Sequence, residues 1–129
     1  MPTVQIFHNP RCSKSRNTLA LLQSQTDDIE IIKYLENPPS TDTIKRLLDE
    51  LNLSARDILR KNESEYRDHG FANPELTATQ LIELIHQHPK VMERPIVSLN
   101  NQAIIGRPPE NVLELFAWPK SWSYFTPNA

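Results

Sequence analysis

Cysteine occurs only once in the 129 residues, at Cys12, and glycine only twice, at Gly70 and Gly106. A single cysteine cannot form an internal disulfide, so the fold must rest on a hydrophobic core, for which this length suffices. Two isolated glycines exclude the glycine-rich loops of nucleotide-binding proteins. The sequence contains neither a long apolar run nor a basic-then-apolar leader. We therefore expect no membrane span and no secretory signal, and a cytoplasmic protein.

The chain also has little excess of either charge. The formal net charge is −2 and the isoelectric point is near 6.1, which argues against a general nucleic-acid binder. Positive charge for an anionic ligand would have to be local. His86 and His88 are two residues apart on a predicted helix and face different directions, so we expect no metal site there.

The chain is organised around residues 4–22, VQIFHNPRCSKSRNTLALL. This pattern predicts a strand, a tight loop and a helix, with Cys12 at the helix N-terminus. A helix N-terminus offers free N–H groups and a positive dipole end, which stabilise a thiolate or a bound oxyanion. Basic residues within four positions of the thiol add to this bias: His8, Arg11, Lys14 and Arg16. The alternative is a buried, inert cysteine.

The rest of the chain predicts an α/β domain. We predict strands at 3–8, 29–35, 96–99 and 103–105, helices at 13–25 and after Pro108-Pro109, and a helical insertion at about 40–88. The order βαβ, helical insertion, ββα is typical of a thioredoxin-like fold with a mixed four-stranded sheet. That fold places a cis-proline before its third strand, which here is Pro95. We predict one domain over 1–117 and an aromatic tail over 118–129.

Five segments resemble the glutaredoxin-coupled arsenate reductases of the ArsC/Spx family. They are HNPRCSKSRNTL at 8–19, YLENPPS at 34–40, ILRKNE at 58–63, ERPIV at 93–97 and GRPPE at 106–110. The resemblance runs from about Val4 to Phe116, with the motifs in the same order. The chain looks closest to a shorter, arsenate reductase-like branch of this family.

The resemblance implies an activity and a set of site residues. Cys12 would be the nucleophile towards arsenate or a similar oxyanion, and His8 would favour its thiolate form. Ser15 and Pro95 would support the site, and the oxyanion would be bound by Arg60, Arg94 and Arg107. The resemblance implies a monomer without a bound metal or cofactor, which uses glutathione and glutaredoxin as external reductants.

Spacing around Cys12 excludes two other thiol chemistries. Low-molecular-weight phosphatases need an arginine six residues after the cysteine, where this chain has Thr18. A CxxC redox pair is missing because the fourth position is Ser15, so Cys12 supports only monothiol chemistry with an outside thiol. Two other functions stay open: a monothiol oxidoreductase acting on glutathione mixed disulfides, and a Spx-like regulator that binds RNA polymerase.

Overall fold

The computed structural model describes residues 3–116, so the aromatic tail predicted over 118–129 lies outside the described residues. The strands are β1 (Val4–His8), β2 (Ile29–Lys33), β3 (Ile96–Leu99) and β4 (Gln102–Ile105). The α-helices are α1 (Ser13–Gln25), α2 (Thr41–Leu51), α3 (Ser64–Asp68) and α4 (Ala78–Gln87). Three short 3-10 helices cover Ala55–Ile58, Pro89–Val91 and Pro109–Leu115. None of the helices within 3–116 is long and apolar enough to cross a membrane.

The four strands form one mixed sheet in the order β2-β1-β3-β4. β1 and β2 run parallel, as the βαβ pattern predicts, whereas β3 is antiparallel to both β1 and β4. Neighbouring residues of β1 point to opposite faces. Ile6 joins a core with Leu22 of α1, and Phe7 joins a second core with Ile44 of α2. The predicted α/β class and mixed four-stranded sheet are confirmed.

Helix and turn chemistry agree with the sequence at several points. Thr77 and Gln80 form a capping box at the start of α4: the Thr77 hydroxyl accepts the N–H of Gln80, and the Gln80 side chain accepts the N–H of Thr77. Asn100 and Asn101 have φ angles of 57° and 64°, the left-handed values that a tight two-residue hairpin requires. The Arg94–Pro95 peptide bond is cis, as expected from the fold.

Four predicted elements differ from the structure in their bounds or type. β1 begins at Val4 instead of residue 3, and β4 begins at Gln102 instead of residue 103. β2 ends at Lys33 instead of residue 35, because the Lys33 carbonyl accepts the N–H groups of Glu36 and Asn37 and so closes a turn. The final helix is a 3-10 helix over Pro109–Leu115, and its bonds are spaced three residues apart. One of them runs from the Asn111 N–H to the Pro108 carbonyl at 3.0 Å.

All four strands have a terminus at the same end of the sheet. His8, the last residue of β1, pairs with Lys33, the last residue of β2. Phe7 pairs with Ile96 at the start of β3, and Ile96 pairs with Ile105 at the end of β4. The loop that carries Cys12 leaves the sheet at this end. The segments before β3 and after β4 therefore lie beside that loop.

Gly106 lies at the same end of the sheet and has no room for a side chain unless its neighbours shift. A β-carbon at this position would lie 2.8 Å from Thr18 Oγ1 and 3.1 Å from Pro95 Cγ. We therefore expect Gly106→Ala to lower the free energy of unfolding by about 1–3 kcal/mol, the usual cost of overpacking. Urea denaturation of both proteins measures this difference.

The control is the double variant Gly106→Ala with Thr18→Ala, which removes both Thr18 atoms that a β-carbon would meet. The double variant should lose less stability than the two single variants added together. Strict additivity would show that the contact with Thr18 is not what restricts Gly106.

Candidate active site

Cys12 occupies the N-cap of α1. Its backbone is extended, with φ −97° and ψ 123°, and its thiol makes no capping hydrogen bond. The Cys12 N–H donates to the Asn9 carbonyl at 3.0 Å, which closes the loop after β1. The thiol is half-buried, and the first turn of α1 contains no acidic residue. The positive end of the helix therefore acts on the sulfur without a competing carboxylate in that turn.

A buried hydrogen bond fixes this loop on the sheet. His8 Nδ1 lies 2.7 Å from Ser15 Oγ, and the hydroxyl of Ser15 also accepts the N–H of Asn9 at 3.0 Å. His8 is only 5% exposed and Ser15 is fully buried. The two side chains tie the end of β1 to the first turn of α1 and so set the position of Cys12.

The charge state of His8 follows from its surroundings. Burial lowers the pKa of His8 below its ordinary value near 6.5, and the positive charges of Lys33 and Arg16 lower it further. At neutral pH the imidazole is therefore neutral and acts through its hydrogen bond to Ser15. An effect of His8 on the thiolate stays a prediction, and a neutral ring would exert it by positioning the loop.

Arg60 lies beside two carboxylates. Its Nη1 is 2.6 Å from Glu63 Oε2, and its Nε is 3.9 Å from Glu93 Oε1. A short antiparallel bridge pairs Leu59 with Met92 and brings these segments together. Arg60 is thus anchored next to the segment that leads into Arg94.

Arg94 and Arg107 lie on the two chain segments that flank the antiparallel strand pair. The Arg94 Nε is buried and has no hydrogen-bond partner among the described residues. The Gly106 N–H donates to the Pro95 carbonyl at 2.9 Å, which holds the segments together. Arg107 is exposed and lines a pocket of about 400 Å³ together with Glu93.

Tyr34 is a buried residue at the same end of the sheet that the sequence analysis did not single out. It follows β2 directly and is 1% exposed. Burial raises the pKa of its phenol strongly, the positive charge of Arg60 lowers it, and the negative charges of Cys12, Glu63 and Glu93 raise it. The phenol stays protonated and is a neutral hydrogen-bond donor. Its place at the end of a strand next to β1 was the available signal.

The buried His8 makes stability depend on pH. Between its lowered pKa and 6.5 the unfolded chain binds more protons than the folded one, so stability falls as the pH drops below about 6.5. In His8→Asn the side-chain amide can replace Nδ1 opposite Ser15 but does not titrate in this range. We expect this variant to be less stable at pH 8 but to lose less stability between pH 7 and pH 5, as measured by urea denaturation.

Ser15→Ala is the matched control, because it removes the hydrogen bond and leaves the burial and the neighbouring charges of His8 in place. Its stability should be lower throughout, with a pH dependence like that of the unaltered protein. Equal pH dependence in His8→Asn and the unaltered protein would show that His8 is not the group responsible.

Comparison with known proteins places this geometry in a family. The ArsC family model matches residues 7–115. The arsenate reductase of Neisseria meningitidis is 44% identical over 113 residues, which are 87% of this chain and 97% of that protein. The uncharacterized protein YfgD of Escherichia coli is 47% identical over 113 residues, 87% of this chain and 95% of that protein.

A solved structure agrees with these relatives. The arsenate reductase from Vibrio cholerae superposes with a TM-score of 0.84 at 46% identity, covering 88% of this chain and 98% of that one. Family model, relatives and structure all cover most of the chain, with the thiol loop, the cis-proline segment and the described arginines inside the matched region. This chain belongs to the ArsC family.

Proposed function

We propose that this protein is a cytoplasmic arsenate reductase in which Cys12 attacks arsenate held by Arg60, Arg94 and Arg107. The observation that carries this proposal is the buried Nε of Arg94, a charged donor without a partner among the described residues. Buried donors are nearly always hydrogen-bonded, and an anion bound at this end of the sheet would supply the missing acceptor. The names of the similar proteins from Neisseria meningitidis and Vibrio cholerae point to the same substrate.

The choice of arginine fits a tetrahedral oxyanion. A thiolate that approaches arsenate meets a like charge, and guanidinium groups neutralise that repulsion. Each guanidinium also presents forked donors that match a pair of oxygens, which the single ammonium of lysine cannot do. Tyr34, which directly follows β2, adds a neutral donor at the same end of the sheet.

The proposed reaction begins at arsenic. The Cys12 thiolate attacks, an As–S bond forms, and one oxygen leaves as water or hydroxide. The thiolate of glutathione then attacks the same arsenic, a second As–S bond forms, and a second oxygen leaves as water or hydroxide. A glutaredoxin thiolate attacks the glutathione sulfur, the bond between arsenic and glutathione breaks, and its electron pair reduces arsenic from the pentavalent to the trivalent state. Glutaredoxin and glutathione leave joined by a disulfide, and hydrolysis releases arsenite and free Cys12.

The outside thiols are needed because the chain offers no second one. Cys12 is the only cysteine in the sequence. The fourth position of the motif is Ser15, and its hydroxyl is buried and bonded to His8. Monothiol chemistry leaves the resolving step to another molecule, which supports glutathione and glutaredoxin as partners without a bound cofactor.

We expect Cys12→Ser to abolish arsenate-dependent NADPH oxidation in an assay coupled to glutathione, glutaredoxin and glutathione reductase. Serine preserves the size of the side chain, but its hydroxyl is not ionised at neutral pH and cannot take the place of the thiolate. Circular dichroism of the variant checks that the fold is retained.

A folded protein whose Cys12 is alkylated rapidly but which shows no turnover would contradict arsenate reduction. Activity on glutathionylated substrates would then identify a monothiol oxidoreductase. Stable capture of the RNA polymerase α subunit, without turnover of either substrate, would identify a regulator.

We expect Arg94→Lys to lower kcat/KM for arsenate by about 100-fold or more, the usual effect of removing one preorganised donor from an anion site. Lysine keeps the positive charge but loses the N–H at the buried Nε position. Steady-state kinetics in the same coupled assay measure the change.

Arg67→Lys serves as the control, because Arg67 is exposed on α3. It should behave like the unaltered protein. Full activity of Arg94→Lys would show that the buried Nε does not bind the substrate.

A further inference from the structure

Two carboxylates face the guanidinium of Arg60. Its Nη1 lies 2.6 Å from Glu63 Oε2, and its Nε lies 3.9 Å from Glu93 Oε1. The three side chains are each about one-fifth to one-third exposed, so water screens these charges only in part. The single positive charge of Arg60 is thus outweighed by two negative ones. An anion that binds the remaining N–H groups of Arg60 shares the guanidinium with both carboxylates.

Glu93 also shares a pocket with a second proposed site arginine. Together with Arg107 it lines the pocket of about 400 Å³. Its backbone is pinned, because the Glu93 N–H donates to the Ile58 carbonyl at 2.8 Å. The Arg60 N–H donates to the Val91 carbonyl at 2.7 Å and completes the bridge. Glu93 therefore faces Arg60 and also lines the pocket to which Arg107 belongs.

Carboxylates beside a bound anion distinguish tetrahedral oxyanions that carry an O–H from those that carry none. An ionised carboxylate only accepts hydrogen bonds, so it can bind an oxyanion that carries an O–H. It repels an oxyanion that carries none, and the partial burial of the site strengthens this repulsion. Hydrogen arsenate and hydrogen phosphate keep an O–H at neutral pH, whereas sulfate has none. The shape of these anions is otherwise the same.

We propose that Glu63 and Glu93 are specificity-determining residues that admit protonated tetrahedral oxyanions and exclude sulfate. The inference rests on the proposed oxyanion site and adds a substrate class to it. Arginines attract any oxyanion, so selection among oxyanions of equal shape needs a repulsive element beside them. The two glutamates supply that element.

The test measures how well phosphate and sulfate protect Cys12 from alkylation by iodoacetamide, a neutral reagent. This readout needs no turnover, because a thiol reduces neither anion under these conditions. We expect half-protection of the unaltered protein at a phosphate concentration at least about tenfold below that of sulfate. In the double variant Glu63→Gln with Glu93→Gln, sulfate should protect at about the same concentration as phosphate. The single variants Glu63→Gln and Glu93→Gln should lie between these limits.

Glu30→Gln is the matched control for the loss of one negative charge. Glu30 lies on the edge strand β2, where its carboxylate accepts the Gln5 side-chain amide at 3.0 Å. This control should keep the preference for phosphate. Loss of the preference in Glu30→Gln as well would show that net charge, not the two glutamates, sets the selectivity.

Two further results would overturn the proposal. One is equal protection of the unaltered protein by phosphate and sulfate. The other is a parallel weakening of both anions in the Gln variants, which would show that the glutamates only hold Arg60 in place. Arsenate turnover without any anion preference would reject the specificity proposal and leave the enzyme. If the anions do not protect Cys12 and arsenate is not turned over, the oxyanion site itself is rejected.

Discussion

The hydrogen bond between His8 and Ser15 is the constraint on which the site geometry depends. It joins the last residue of β1 to the first turn of α1 across a loop that contains Cys12. The Ser15 hydroxyl also accepts the N–H of Asn9, so the loop is held by its side chains and by its backbone. Because both side chains are buried, little water competes for these bonds. The backbone at Cys12 therefore has a fixed position relative to the sheet.

The arginines are positioned by backbone pairing from three separate segments. The bridge between Leu59 and Met92 brings Arg60 towards Arg94, and the bond from Gly106 to Pro95 brings Arg107 towards the same segment. None of these contacts is local in sequence. An anion site built in this way exists only in the folded chain, and its cations need no rearrangement of the backbone to meet a ligand.

The sequence was sufficient for the parts that depend on local patterns. Periodicity and turn residues predicted α1 and β3, because each is determined by neighbours within a few residues. The roles of the arginines came from family resemblance, since nothing local fixes which distant segments meet. Tyr34 and the carboxylates at Arg60 were not predicted, because burial and charge pairing arise from tertiary contacts.

The close packing around Gly106 has a consequence for motion. Thr18 of α1 and Pro95, which precedes β3, pack so closely against Gly106 that a β-carbon there would meet both. This packing joins α1 to the loops on either side of the β3–β4 hairpin. This packing opposes a sliding of α1, whose N-cap is Cys12, along the sheet. Adjustment to an incoming ligand then falls on side-chain rotation, first of all at the exposed Arg107. Such a site responds on the timescale of rotamer changes, not on that of domain closure.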